Sequence, residues 1–288
     1  MNCIKFEKRK LFEMLTKDKL PHIISLVDDE SEEVRDFVLK DLNDYGTDLE
    51  SDLVEFSDIL NLNNLQAIKP IIEKNRREWL WANWKTWYSP FSELEKIETA
   101  MNIISKFQLG ILQQTTLSIK LDIIAGNFMN LYPYGNELDL SYYLFNILNL
   151  RGNKEDYYNP LNSNLYYTFE SGVALPITLV LIFILVADRV GLKVVGCNFP
   201  GHFLAKIEID GEMILIDCFN EGKVIFGSDL SDLTDDSQEA LATIINAPLS
   251  ARTIIKRVLS NLINAYKEKG DVVHQQFFKE LMLSAPLR

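Results

Sequence analysis

The sequence predicts an α+β fold, with one small antiparallel sheet inside a mainly helical chain. A β-hairpin is indicated at residues 198–219, because apolar and polar residues alternate towards Asp210-Gly211, a two-residue turn signal, and a second apolar run follows it. An uncharged run, VALPITLVLIFILVA, lies just before the hairpin at residues 173–187. It is shorter than the roughly 20 residues that a membrane span needs, so it predicts a buried core helix. Amphipathic patterns of helical period flank these two features.

The first helical pattern lies at residues 26–46, where Ser31 is the N-cap candidate and Gly46 the C-cap candidate. Its apolar face is predicted to contain Val34, Phe37, Val38 and Leu42. The segment resembles one unit of a HEAT repeat, but no second copy follows at a fixed period. We therefore expect residues 1–90 to form a small, HEAT-like helical bundle.

A helix is also predicted at residues 68–87, and the four tryptophans of the chain lie there: Trp79, Trp81, Trp84 and Trp87. They form either an aromatic binding surface or the seam by which the bundle docks on the next domain. Their helical spacing favours the seam. Ser89-Pro90 then interrupts the pattern, so a domain boundary is predicted there.

Residues 91–231 are predicted to form the core domain, and residues 232–288 a group of helices packed on it. Apart from the apolar helix and the hairpin, the predicted elements are a helical region from Glu93 to about Met129, strands at Lys193–Cys197 and Val224–Phe226, and helices from Asp232 onward that include Arg252–Lys269 and Val272–Leu283.

Composition narrows the function classes. The net charge of -12 and a pI near 4.8 argue against a nucleic-acid surface, since no basic cluster offsets the acidity. Three cysteines are too few for a disulfide framework, and no CxxC pair suggests a metal site. His22 and His274 are expected on the surface of the helical flanks. The N-terminal residues lack the pattern of a signal peptide, so we expect a cytoplasmic protein without a membrane partner. No motif of the sequence supports a metal site or a cofactor, and we expect neither.

A histidine and an aspartate are placed together by the hairpin. If the turn is centred on Asp210-Gly211, residue 209 faces 212 and His202 lies two residues from the point opposite Asp217, on the same face of the sheet. A carboxylate beside a histidine fixes its tautomer and steadies the imidazolium, which is the orienting half of a nucleophilic triad. The pattern predicts a hydrogen bond between the two side chains.

Four segments together resemble the SirB-type transglutaminase-like family, a bacterial branch of the transglutaminase-core superfamily. In order they are DYYNPLNSNL (156–165), SGVALPITLVLIFILVADRVGL (171–192), GCNFPGHFLAK (196–206) and LIDCFNEGKVI (215–225). The resemblance implies a papain-like α+β core, in which a central helix packs on the small sheet. In catalytic members a cysteine at the start of that helix attacks an amide, while a histidine and an aspartate on adjacent strands activate it.

His202 and Asp217 match the last two positions of that triad, but the nucleophile does not match. The resemblance places the cysteine equivalent within residues 175–177, most closely at Pro176, and SirB-type members read Gly-x-Pro here. Proline suits the first turn of a helix but carries no nucleophile. The same resemblance implies binding roles beside His202 for Tyr158, Asn162, Ser163 and Gly201.

Other residues are weaker candidates for a nucleophile. Cys197 ends an apolar strand, and the side chain of Cys218 is expected to point away from that of Asp217. Thr178 would need a strong local base, and Ser171 and Ser163 lie on irregular backbone. The sequence therefore favours a transglutaminase-like protein without the cysteine nucleophile, a pseudoenzyme that binds a protein or peptide partner or acts as a scaffold. The alternative is a cysteine-dependent amide hydrolase or acyltransferase that uses a displaced thiol.

Overall fold

The computed structural model describes residues 16–110, 116–199, 202–226, 247 and 249–284. The chain forms two compact units. The first is Met1–Ala82 with Gly110–Leu112, and the second is Asn83–Leu109 with Gln113–Arg288.

The first unit is helical in its described part, with α1 (Leu20–Ile24), α2 (Glu32–Tyr45), α3 (Leu49–Val54) and α4 (Leu62–Asn83, whose last residue belongs to the second unit). Its core holds aliphatic side chains from each of these helices, among them Leu20, Leu42, Leu53 and Ile68. Helix α2 begins after Ser31 and ends at Gly46, whose φ of 84° is favourable only for glycine, as the cap signals predict. The predicted apolar face is wrong at Phe37, which is 39% exposed.

The second unit contains the sheet. Its helices are α5 (Glu93–Leu109), α6 (Leu117–Leu131), α7 (Glu137–Tyr142), α8 (Leu165–Ser171), α9 (Pro176–Arg189), α10 (Ala251–Glu268) and α11 (Val272–Leu283). Strands β1 (Arg151–Gly152) and β2 (Val173–Ala174) form a parallel pair. Strands β3 (Val195–Cys197), β4 (Leu204–Ile209), β5 (Glu212–Asp217) and β6 (Lys223–Phe226) form an antiparallel sheet in that order.

The apolar run is a core helix, as its length predicts. Pro176 occupies the first turn of α9, where its missing N–H would have no helical partner and its ring pre-sets φ. All residues of this helix from Ile177 to Ala187 are buried, and the helix packs against β3 and β4. At its last turn Arg189 donates to both oxygens of Glu98, at 2.8 and 2.9 Å, and to Asp122 at 2.6 Å. None of the helices in the described ranges is long and apolar enough to cross a membrane.

The hairpin has the predicted register, with Ile209 paired to Glu212. Asp210 and Gly211 both have positive φ, 53° and 82°, which is the conformation of a type I′ turn. Because pairing fixes which side chains share a face, the register places residues 204, 215 and 217 on one side of the sheet.

The division between the units falls earlier than the predicted boundary at residue 90. Trp84 and Trp87 are buried in the second unit, where the 3-10 helix Trp84–Tyr88 packs against α5. Helix α10 also packs on α5, so the C-terminal helices share a unit with the sheet. The segment from Asp232 to residue 246 lies outside the described residues, and the docking role of the tryptophans stays a prediction.

Candidate functional site

The carboxylate of Asp217 caps a turn. Strand β5 ends at Asp217, and the chain continues as a 3-10 helix, Cys218–Asn220, whose first N–H groups lack helical partners. Oδ1 of Asp217 accepts from the backbone N–H groups of Phe219 and Asn220, at 3.1 and 3.2 Å, and Oδ2 accepts from the Asn220 side chain at 2.8 Å. An aspartate followed by irregular backbone is an N-cap signal that the sequence already contained.

His202 lies at the start of the hairpin, and its side chain is exposed. Its backbone N–H donates to the carbonyl of Phe199 at 3.0 Å, which closes a turn before β4. Within the described ranges no hydrogen bond joins His202 to Asp217, so the predicted pair is wrong. The Asp217 carboxylate instead accepts from three donors of the adjacent turn, and the side chain of His202 lies exposed.

The turn after Asp217 packs on β1 through Phe219. The ring of Phe219 lies directly on Gly152, where an added Cβ would overlap the ring. Tyr157 meets the same ring edge-on, at 6.1 Å between centroids. The segment 156–165 thus reaches the end of the hairpin through Tyr157.

We expect Gly152→Ala to lower the free energy of unfolding by about 1–3 kcal/mol, because the new methyl group must displace the Phe219 ring from a packed position. Chemical denaturation of the variant measures the loss. Gly126→Ala is a matched control, since a Cβ there meets no atom within 4 Å and alanine favours its helix. Equal stability of Gly152→Ala and the wild type would show that Phe219 does not depend on this contact.

Asn162 fixes the segment 156–165 against the start of α9. Its side chain is fully buried, donates to the carbonyls of Asp156 and Tyr157 at 2.7 and 3.0 Å, and accepts from Asn153 at 2.9 Å. Its backbone carbonyl accepts from the Leu175 N–H at 3.1 Å and from the Thr178 hydroxyl at 2.8 Å. A single asparagine therefore positions the backbone at which α9 begins.

The other predicted binding residues are less informative. Ser163 is buried, and its hydroxyl has no hydrogen-bond partner in the described part of the chain. Tyr158 is exposed and lies edge-on to Tyr157, with centroids 5.3 Å apart. Gly201 lies outside the described residues. The described contacts bring none of Tyr158, Asn162 or Ser163 to the side chain of His202.

Both described thiols are buried. Cys197 packs with Leu204 and Leu215, and burial raises the pKa of its thiol against a smaller lowering by Lys206. Burial and then the charge of Asp217 hold the pKa of the Cys218 thiol well above its usual range. Cys218 lies in the 3-10 turn rather than in a strand. Neither environment favours the thiolate that a nucleophile requires.

Two hydroxyls considered as nucleophiles are already engaged with backbone. The Thr178 hydroxyl donates to the carbonyl of Asn162, and the Ser171 hydroxyl bonds to the carbonyl of Val173 at 3.2 Å. Thr178 lies closest in sequence to the position of the absent cysteine, but its hydrogen bond is buried and structural.

A family model describes this arrangement of helix and hairpin. The model of the Transglutaminase-like superfamily matches residues 117–260, from the start of α6 into α10, and so includes α9, the whole described sheet and Arg257. The chain belongs to this superfamily. The predicted α+β class is confirmed with it.

The chain is also similar to curated proteins over part of its length. The chain is similar to a UPF0162 protein of Xylella fastidiosa strain 9a5c, 39% identical over 133 residues, which are 43% of this chain and 46% of that protein. It is also similar to F-box only protein 21 of Mus musculus, 28% identical over 140 residues, which are 46% of this chain and 22% of that protein. The match thus spans less than half the length of the curated relatives. No solved structure matches the chain.

An arginine that the sequence did not single out lies beside the hairpin of this transglutaminase-like domain. Arg257 of α10 donates to the side-chain oxygen of Asn198 and to the backbone carbonyl of His202, the latter at 3.4 Å. Its guanidinium lies over the ring of Phe203, 5.1 Å from the centroid. Arg257 falls on an amphipathic helix of ordinary pattern, so only the packing of α10 against the hairpin distinguishes it.

His274 was expected on the surface, but it is partly buried. Its Nδ1 is 2.6 Å from a carboxylate oxygen of Asp271, the N-cap of α11, and its ring stacks on Tyr266 at 5.0 Å. This pair closes the turn between α10 and α11. Across the described ranges, no group of three or more His, Cys, Asp and Glu side chains has the geometry to hold a metal ion.

Proposed function

We propose that this chain is a non-catalytic member of the superfamily that binds a protein or peptide partner through the region around His202. The observation that carries the proposal is the start of α9. Pro176 occupies the position to which the resemblance assigns the cysteine nucleophile, and it is held there by the Asn162 carbonyl bonds to Leu175 and Thr178. An acyl-enzyme cannot form on a proline side chain.

The thiols support the same proposal. A displaced cysteine would need a thiolate within hydrogen-bond reach of its base. Cys197 and Cys218 are buried with raised pKa values, and the Asp217 carboxylate is committed to its cap. The thiol-enzyme alternative would therefore require one of these thiols and the aspartate to leave their positions.

We also propose that the protein belongs to the SirB-type branch of the superfamily. The Pro-Ile-Thr-Leu start of α9, the Pro-Gly-His-Phe sequence before β4 and the Asp-x-Phe sequence at the end of β5 support a SirB-type protein. The helical first unit, with its shared aliphatic core, is compatible with a HEAT-like bundle. We place the protein in the cytoplasm, since its few cysteines do not predict a disulfide framework.

We expect Cys197 and Cys218 to resist alkylation by iodoacetamide at neutral pH in the native protein. Their raised pKa values leave less thiolate than an ordinary thiol has, so the rate should rise only as the pH passes above the usual value of about 8.5. A Cys3→Ser background restricts the signal to these two residues, and mass spectrometry assigns it. Unfolding in urea should expose both and serves as the positive control.

Turnover separates the two functions directly. The Cys3→Ser protein and its Cys197→Ala, Cys218→Ala derivative are incubated with acyl-donor and peptide libraries, and we expect no product that depends on a cysteine. Fast alkylation of one thiol near neutral pH, together with turnover that disappears in the derivative and in His202→Ala, would establish a thiol enzyme and overturn the proposal.

A further inference from the structure

A pocket with a cavity volume of about 300 Å³ lies between α10 and the hairpin. Its wall is apolar, made by Phe203, Leu249 and Ile254, of which Phe203 and Ile254 are buried. Its polar groups are the side chains of Lys256 and Arg257 and the amide of Asn198, with two hydroxyl residues nearby. None of the described residues that line it is acidic.

Arg257 lacks a counter-ion among the residues that the structure describes. Arg257 is partly buried and makes no ion pair there, and its protein acceptors are an amide oxygen and a backbone carbonyl. Burial lowers its pKa, with Tyr157 acting weakly in the other direction. A guanidinium has five N–H donors, so these two acceptors leave donors available for an anion.

Arg189 is a second partly buried guanidinium in this chain, and it is paired with two carboxylates. Burial alone would lower its pKa, but hydrogen bonds and charge pairing with Asp122 and Glu98 raise it overall. The chain carries 41 acidic residues against 29 basic ones. Among the described residues, the pocket lining holds two cations and no carboxylate, which is out of keeping with the net charge of the molecule and favours an external anion as its partner.

We propose that this pocket binds the C-terminal carboxylate of a peptide whose last residue is apolar. Arg257 can pair with both oxygens of a carboxylate, and Lys256 adds a second positive charge at the exposed edge. The side chain of the terminal residue lies against Phe203, Leu249 and Ile254. The inference rests on the proposed binding function and names the chemistry of the ligand.

The apolar wall distinguishes this ligand from a free phosphate. A phosphate would place its charged oxygens against Phe203 and Ile254 without replacing its hydration there, whereas an apolar side chain gains from burial on the same wall. The volume suits one terminal residue and is at the small end for ligand pockets.

The test uses acetyl-Gly-Gly-Phe as the free acid and as its C-terminal amide, titrated into the full chain by calorimetry at low ionic strength. We expect the acid to bind at least about tenfold more tightly than the amide, and Arg257→Gln to remove most of that difference. Arg252→Gln is the matched control: it makes the same charge change on the same helix, at a residue that contacts Tyr88 instead of the pocket, and should bind like the wild type.

Equal affinity for acid and amide in the wild type would overturn the inference, and that comparison does not depend on any variant being folded. It would also be overturned by inorganic phosphate binding as tightly as the acid, by wild-type affinity in Arg257→Gln, or by no binding of the acid at all. Cysteine-dependent turnover of a peptide that still binds through Arg257 would overturn the proposed function while leaving the pocket assignment intact.

Discussion

Phe183→Ala is expected to lower the free energy of unfolding by about 3–5 kcal/mol. Phe183 lies at the centre of α9 with no exposed surface, and its ring meets Phe145 edge-on at 5.7 Å. Truncation removes the apolar area of a phenyl ring and leaves a cavity that the surrounding helix and sheet can fill only in part. Chemical denaturation followed by tryptophan fluorescence measures the effect.

The control for this prediction is Phe91→Ala, because Phe91 is fully exposed in the same unit and its removal should change stability by less than about 0.5 kcal/mol. Phe183→Leu, which keeps most of the volume, should cost clearly less than the alanine variant. If Phe183→Ala and Phe91→Ala unfold at the same denaturant concentration, α9 is not the core of the unit.

Asn162→Ala is expected to lower the free energy of unfolding by about 2–4 kcal/mol, since it removes three partly buried hydrogen bonds of a fully buried side chain. The partners in these bonds are the carbonyls of Asp156 and Tyr157 and the amide of Asn153. The loss should also loosen the start of α9, because the backbone of Asn162 holds Leu175 and Thr178 there. Denaturation gives the energy, and amide hydrogen exchange at Leu175 gives the local effect.

Asn159→Ala is the comparison within the same segment. Its side chain caps the following turn through one bond, to the Leu161 N–H at 3.0 Å, so its removal should cost about 1 kcal/mol. Faster exchange at Leu175 should appear in Asn162→Ala and not in Asn159→Ala. Similar costs for both variants would mean that Asn162 acts only as a turn residue and not as the support of the helix start.

The sequence predicted local structure correctly where one or two neighbouring residues determine the backbone conformation. Proline at the start of an apolar run predicts the first turn of a buried helix, and α9 has that form because nothing in the tertiary structure opposes it. Asp210-Gly211 predicts the hairpin and its register for the same reason, since both residues take the positive φ that the turn demands. The matched family model adds that these elements come in a transglutaminase-like order.

The candidate site was predicted less well, because local bonds replace the predicted cross-strand pair and other contacts join residues that are distant in sequence. His202 and Asp217 share a face of the sheet in the predicted register. A shared face does not determine which donor forms a hydrogen bond with the carboxylate. The turn at Phe219 and Asn220 supplies donors within three residues of Asp217, and these local bonds close without moving the strand. The exposure of Phe37 has a related cause. Helical period predicts which side of α2 is apolar, while the packing around α2 decides how much of that side is buried.

By itself the sequence determined the fold class, the buried central helix, the hairpin register and the presence of proline where the resemblance assigns a nucleophile. Each of these depends on period, turn chemistry or the identity of one residue, which are properties of a short stretch of chain. Only the tertiary structure decided that Asn162 supports the start of α9 and that Arg257 of α10 reaches the backbone carbonyl of His202. These contacts depend on which segments the folded chain brings within a few ångströms, and no local pattern encodes that distance.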